Sequence, residues 1–291
     1  MEKPFLHVEN LKKTFRARGS SRPLVVFDDI GFGARRGEIV SIIGHSGCGK
    51  STILSIIAGL TRASAGAVYI AGEPVNGPGL SRGVVFQNHS LLPWRTALGN
   101  VLFSVRARHP DWSRAQLLEH SRHFLRMVGL AHAEDRRPAQ LSGGMRQRVG
   151  IARAFAIEPQ ILLMDEPFGA LDALTRASIQ DQLIELWQRT QQTIVLITHD
   201  VDEALYLSDH VLVMGDGPDA RIVERLQVDL DRPRDRKQLL RDAHYHELRA
   251  HMLDLLASKG GTRLSGAPPL TEAPSSSDDM TTTTATLTKT A

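Results

Sequence analysis

Glu38-Ile39-Val40-Ser41-Ile42-Ile43-Gly44-His45-Ser46-Gly47-Cys48-Gly49-Lys50-Ser51-Thr52 is the stretch on which the fold turns. Glu38–Ile43 is dominated by β-branched residues and reads as a buried strand, and Ser51–Gly59 after it reads as an apolar helix. The turn between them has the spacing of a P-loop. Its glycines let backbone N–H groups close around phosphate oxygens at the positive end of the following helix. Lys50 adds charge near β- and γ-phosphates, and the Ser51 hydroxyl is placed to bind Mg²⁺. A dinucleotide site is the wrong reading of the neighbouring glycines, because Gly31-Phe32-Gly33-Ala34-Arg35-Arg36-Gly37 lacks that fingerprint's spacing.

Working outward, Ile161–Met164 is a wholly apolar strand that ends in Asp165 and Glu166. Open α/β sheets place ligands at the carboxyl ends of strands, so Asp165 is expected to hold Mg²⁺ through water. Thr175–Arg189, Thr193–Thr198, Asp202–Leu207 and Val211–Met214 continue an alternation of helix and strand. Such a run predicts an α/β fold with a parallel sheet covered on both faces. Phe5–Glu9, Val25–Ile30, Ala67–Ala71 and Gly83–Phe86 read as further strands, the first two separated by a loop holding Arg16, Arg18, Gly19 and Ser20. From about Leu98 to Leu130 the apolar residues fall at helical spacing, which predicts a helical subdomain inserted into the sheet. Arg146–Ile157 and Asp235–Leu256 are expected to be further helices.

The 291 residues, 42% apolar and 23% charged, are ordinary globular material with ample core. A net charge of +3 does not point to nucleic acid. No stretch approaches the ~18–20 apolar residues that cross a bilayer, and Met1-Glu2-Lys3-Pro4 does not open a signal peptide. A transport role would therefore need a membrane path from another chain. The lone cysteine, Cys48, excludes an internal disulfide and fits a reducing cytoplasm. Its thiol is either activated by the helix start or simply a small tolerated side chain. His244, His246 and His251 lie on a charged stretch without metal-ligand spacing. Past Gly260 the chain turns to Ser, Thr, Pro and Ala, and a disordered tail is expected there.

A second glycine-rich segment, Leu141-Ser142-Gly143-Gly144-Met145-Arg146-Gln147, precedes a helix. Hydroxyl and glycine N–H groups there form an anion cradle, although a plain N-cap with loop glycines would look the same. Together with the P-loop and Leu163-Met164-Asp165-Glu166-Pro167, in that order, this segment resembles the ATP-binding cassette family from about Val8 to about Leu226. The resemblance implies a P-loop NTPase cassette: a mainly parallel core sheet, an N-terminal antiparallel β-subdomain and an inserted helical subdomain at about 88–158. The cassette would span 1–258, leaving 259–291 as the tail. It further implies ATP hydrolysis with Mg²⁺. Gly44, His45, Ser46, Gly47, Cys48, Gly49, Lys50, Ser51 and Thr52 would bind nucleotide, while Ser51, Gln87 and Asp165 would serve the metal. Glu166 would polarise the attacking water, with Gln87 approaching that water and His199 contacting the γ-phosphate. Phe15 occupies the place of the aromatic that stacks on adenine, a core Phe at a strand end being the alternative. One chain offers one γ-phosphate and two cradles. The family's arrangement is a head-to-tail dimer in which Ser142, Gly143 and Gly144 serve the partner's ATP and Asp172 crosses the interface. A homodimer is the simpler expectation.

Leu91, Leu92 and Trp94 follow Gln87 and are costly to leave in water. Either they fold back into the chain's own helical lobe, or a helix of another protein covers them. In the family this region receives the permease. The chain lacks the Thr-Glu-Val-Gly-type segment of exporters before Leu141. It is similar instead to the nitrate/sulfonate/taurine group of importers, through Phe86-Gln87-Asn88, Leu92-Pro93-Trp94 and Gly144-Met145-Arg146-Gln147-Arg148-Val149-Gly150-Ile151-Ala152-Arg153-Ala154. Within that group the marks lean toward nitrate, nitrite or cyanate, with sulfonate or taurine as the alternative. A soluble non-transport cassette ATPase is a further alternative, which the lack of a second cassette and of long coiled-coil insertions disfavours, and an exporter-associated ATPase is another. The partners so implied are integral-membrane permease subunits, a second ATPase subunit and, through the permease, a periplasmic or lipid-anchored solute-binding protein. No nucleic acid is implied. The expected place is the cytoplasmic face of the inner membrane, as a peripheral subunit.

Overall fold

The computed structural model describes residues 4–15, 23–88 and 90–258. Its first half runs β1 (Leu6–Phe15), β2 (Leu24–Ala34), β3 (Ile39–Ile43), α1 (Lys50–Ile57), β4 (Ala65–Ile70), β5 (Glu73–Pro74), β6 (Arg82–Val85), α2 (Ala97–Arg108) and α3 (Arg114–Met127). The rest runs α4 (Gly143–Phe155), β7 (Ile161–Asp165), α5 (Ala173–Thr190), β8 (Thr193–Thr198), α6 (Val201–Leu207), β9 (His210–Met214), β10 (Ile222–Gln227), α7 (Arg236–Leu239) and α8 (Ala243–Ala257). The loop with Arg16, Arg18, Gly19 and Ser20, and the tail 259–291, lie outside the described residues.

The strands form two sheets, ordered β2-β1-β4-β5 and β10-β9-β3-β8-β7-β6. The first is antiparallel; the second is parallel except for its β10 edge. Period-2 alternation explains why the second sheet is covered on both faces. Val40, Ile42, Leu163 and Ile197 point to a core shared with α1 and the antiparallel sheet. Ile39, Ile43, Leu162 and Leu196 point to the opposite core, shared with α2 to α6. At ~25 cal/mol per Å² of apolar surface, burial on both faces is the main stabilising term for such strands.

Three helices, α2, α3 and α4, pack together between β6 and β7. Local chemistry starts each one. Thr96 caps α2 by accepting from Gly99 N at 3.1 Å, and Ser113 with Gln116 forms a capping box on α3. A fork from Arg122 to Glu134, 3.0–3.3 Å, ties α3 to the chain leading into α4.

Two expectations need correction. The helix expected at Arg146–Ile157 begins at Gly143, because Ser142 caps it and accepts from Met145 N at 3.2 Å. The single helix expected over Asp235–Leu256 is two, α7 and α8. Asp242 interrupts it and caps α8 through the N–H groups of His244 (2.8 Å) and Tyr245 (3.2 Å). β10 and the short β5 had no reading from sequence; β10 is a half-buried edge strand without clean alternation.

The segment between β10 and α7 is anchored by Arg232, which donates to Asp209 Oδ1 at 2.9 Å and to the Leu207 carbonyl at 2.7 Å, and above all by Arg234. Arg234 donates to the carbonyls of Leu205, Tyr206 and Ser208 at 2.7–3.0 Å, and to those of Leu230 and Val228 at 3.3 Å. Together the two arginines satisfy the carbonyls at the C-terminus of α6. Arg234→Met should cost about 3 kcal/mol in urea unfolding. A loss below about 1 kcal/mol would show that water replaces the guanidinium at no cost.

Candidate functional site

Strand order does the positioning. β3, β8, β7 and β6 are successive neighbours, so their carboxyl ends share one edge. The P-loop follows β3, His199 follows β8, Asp165 and Glu166 end β7, and Gln87 follows β6. Residues scattered over more than 150 positions of sequence are thus delivered to one floor.

The P-loop itself is built by close approach. Gly47 and Gly49 have φ of 87° and 101°, a region that disfavours side chains. A Cβ at Gly49 would lie 2.7 Å from the Phe27 ring, and one at Gly44 would lie 2.9 Å from the Met214 carbonyl. Gly49 caps α1 without any side-chain bond, so no capping side chain competes with a ligand for the first turn. Lys50 is 5% exposed, and its Nζ donates to the Gly44 and His45 carbonyls at 2.6 and 2.8 Å. The charge is therefore held inside the loop rather than in solvent. Cys48 is buried, and burial pushes its thiol up despite nearby Lys50, so the side chain is packing and not an activated thiolate. His45 Nδ1 lies 2.7 Å from Asp216 Oδ1, a partner that nothing in the sequence signalled.

Ser51 Oγ donates to Asp165 Oδ1 at 2.9 Å. Burial raises the Asp165 carboxyl above its usual range; the Ser51 bond opposes this, and the Glu166 charge adds to it. A hydroxyl, a carboxylate and the amide oxygen of Gln87 are hard oxygen donors that suit Mg²⁺. A carboxylate penalised by burial beside another carboxylate is also a setting that a cation relieves. The residues present fit the metal.

Glu166 sits at φ 44°, a left-handed conformation that is costly for a residue with a long side chain. Its N–H donates to the Ile197 carbonyl at 3.0 Å, which holds it there. In that position Glu166 Oε2 accepts from Gln87 Nε2 at 3.2 Å and lies 3.5 Å from His199 Nδ1. Gln87, expected at the attacking water, and His199, expected at the γ-phosphate, therefore both approach one carboxylate oxygen of Glu166.

Other predicted residues stand apart from that cluster. Ser142, Gly143 and Gly144 open α4, and among the described residues no hydrogen bond joins them to the P-loop of the same chain. A Cβ at Gly144 would lie 2.5 Å from the Thr175 methyl, so this glycine serves the packing of α4 on α5 as well. Asp172 caps α5 through Thr175 N at 3.0 Å, and that bond holds its carboxyl below the usual range. Phe15 is 47% exposed with Lys13 Nζ 4.8 Å from its ring centroid. Leu91 and Leu92 turn halfway into the helical lobe, whereas Trp94 stays 69% exposed. Asn100, wholly buried and unsignalled by sequence, fixes that turn through bonds to Leu92, Arg95 and Thr96 backbone at 2.8–3.4 Å. His244 and His251 pair with Asp229 and Glu224 at 2.7 and 2.6 Å, and His246 meets the Leu240 carbonyl at 3.1 Å.

A model of the family described as ABC transporter matches residues 27–169. The nitrate import ATP-binding protein NrtD of Synechococcus elongatus is 46% identical over 87% of this chain and 91% of its own length. The bicarbonate transport ATP-binding protein CmpD of Synechocystis sp. is 44% identical over 88% of this chain and 90% of its own. A solved dimeric ATP-binding cassette, in a post-hydrolysis state with ADP and Pi, superposes with a TM-score of 0.70 at 31% identity, over 78% of this chain and all of that one.

Below His199 lies one buried carboxyl with an unusual state. Glu203 is 5% exposed, and burial pushes it up to about 8, against bonds from Thr198 and Gln180 that favour its charge. The folded chain keeps a proton that the unfolded chain releases near 4.5. Stability should therefore be greatest below about pH 4.5 as far as this group is concerned, fall as pH rises toward about 8, and level off beyond. Glu203→Gln should flatten that part of the profile in urea unfolding from pH 5 to 9; an unchanged slope would mean Glu203 is already ionised.

Proposed function

The chain belongs to the ABC transporter family and is an ATP-binding, ATP-hydrolysing cassette, and from that premise we propose that it energises an importer for nitrate as a head-to-tail homodimer. The observation that carries the catalytic part is the convergence of Gln87 and His199 on Glu166 Oε2, beside the P-loop. Backbone N–H groups of the loop and Lys50 hold the β- and γ-phosphates. Ser51, Asp165 and Gln87 would hold Mg²⁺, which when bound would neutralise phosphate charge. Glu166 accepts the proton of the attacking water, Gln87 orients that water, and His199 donates toward the γ-phosphate. Phe15 supplies the face for adenine.

Support for the dimer comes from the second cradle. Ser142–Gly144 open a helix and, among the described residues, make no hydrogen bond to their own P-loop, and anion binding at such an end is their natural chemistry. The cassette superposed above was itself captured as a dimer. Asp172 and the 86% exposed Leu174 would meet the partner near the same seam.

Among the described residues no helix is long and apolar enough to cross a membrane, so the solute passes through permease subunits. Trp94, held out on a turn braced by Asn100, is the surface offered to a permease helix. The chain then works at the cytoplasmic face of the membrane, with a solute-binding protein on the other side. Nitrate is favoured by the relative at 46% identity. Bicarbonate is the second reading, on the relative at 44%; both solutes are planar oxyanions.

Glu166→Gln should still bind ATP and dimerise while hydrolysis falls about 10²- to 10³-fold. Steady-state turnover equal to that of the native chain would remove Glu166 from the mechanism. Reconstituted in vesicles with its permease and binding protein, and with ATP on the cassette side, the native chain should accumulate nitrate. Bicarbonate accumulation instead would keep the motor and change the cargo.

A further inference from the structure

One side chain joins two of the loops described above. Arg176 lies in the first turn of α5, four residues past Asp172. Its guanidinium donates from Nη1 to Asp200 Oδ2 at 3.1 Å and from Nη2 to the Leu171 carbonyl at 3.2 Å. Leu171 immediately precedes Asp172, and Asp200 immediately follows His199. The two partners belong to different loops, one leaving β7 and the other leaving β8.

Both ends of this bridge are fixed. Asp200 caps α6 by accepting from Glu203 N at 3.1 Å, and its own N–H donates to Thr198 Oγ1 at 3.0 Å. The Arg176 and Asp200 side chains are only 33% and 30% exposed, so solvent screens the pair less than a surface one. Glu203 is engaged by Gln180 at 3.1 Å, and Asp200 is the carboxylate that Arg176 bonds. Arg176 Nε is buried with no partner. An unmet donor of this kind is costly, and here it accompanies a guanidinium stretched between two acceptors.

We propose that Arg176 is a positioning residue for ATP hydrolysis: it braces the Asp172 loop and the His199 loop at one separation, so that docking of a second copy against Asp172 sets the His199 imidazole. The inference rests on the ATPase and dimer reading above. A planar fork can meet a carbonyl and a carboxylate together, whereas the ammonium of lysine is a single point charge. A loop displaced by about 1 Å is enough to lower turnover on the order of 10²-fold without touching the reacting atoms.

The test measures kcat, ATP Kd, the Hill coefficient in ATP and thermal melting on the full chain with Arg176→Met, Arg176→Lys, Asp200→Asn and the double variant Arg176→Met/Asp200→Asn. Asparagine still caps α6, so Asp200→Asn removes the bridge and keeps the helix start. We expect kcat to fall about 10- to 100-fold in Arg176→Met and in Asp200→Asn, with ATP Kd within about 2-fold and cooperativity lost. The double variant should be no worse than the worse single one. Arg176→Lys should stay impaired. Unchanged kcat in Asp200→Asn, additive losses in the double variant, or full activity with lysine would each overturn the brace. If Arg176→Met melts early, Asp200→Asn alone decides. A native chain that hydrolyses no ATP would sink the ATPase reading; a native chain that does, beside unaffected variants, sinks only this inference.

Discussion

The parallel hydrogen-bond register of β3, β8 and β7 is the interaction on which the rest of the molecule depends. Ile43 pairs with Thr198, and Asp165 pairs with Ile197, so the three strands end within one residue of each other. A slip of a single residue in either ladder would turn Asp165 to the opposite face and lift His199 off the floor. What prevents the slip is burial on both faces. Each strand sends alternate residues into two separate apolar cores, and neither core tolerates the other's set. Catalytic geometry is in this sense a by-product of hydrophobic patterning.

On that floor two adjacent carboxyl groups are given different surroundings. Asp165 faces Ser51 and the P-loop lysine, and burial raises it. Glu166, turned by its left-handed backbone, faces Gln87 and His199 instead. Neighbours in sequence thus look into different halves of the site, one suited to a cation and the other to a water. The φ of 44° at Glu166 is the strain that makes the division possible.

Much of this was legible in the sequence, and the boundary of legibility has physical causes. Wholly apolar runs such as Ile161–Met164 and Thr193–Thr198 announce buried parallel strands directly, and their positions agree with β7 and β8 to within a residue. Motif spacing likewise marked Lys50, Ser51, Asp165, Glu166, Gln87 and His199, which the strand order brings to one edge. The start of α4 was misplaced because glycine disfavours helix; the Ser142 cap and the tight contact of Gly144 with Thr175 override that preference. α7 and α8 looked continuous because helical periodicity runs on through Asp242, whose capping role shows only once its backbone partners are known. Asp216 and Asn100 carried no signal, and Arg176 stood only at the end of a stretch that resembles importer ATPases, since each acts through a partner or backbone that only the folded chain brings near.

The separation of the Ser142 cradle from its own P-loop has a consequence for kinetics in dilute solution. Under the head-to-tail reading proposed above, a site divided between copies would turn over at a rate that rises with the square of protein concentration until dimers saturate. Free in the cell, such a chain idles when scarce. A permease that binds two copies side by side replaces bulk concentration with an effective one, in the millimolar range for closely tethered partners. The membrane partner then acts as a template as well as a load, and ATP is spent mainly where there is a channel to drive.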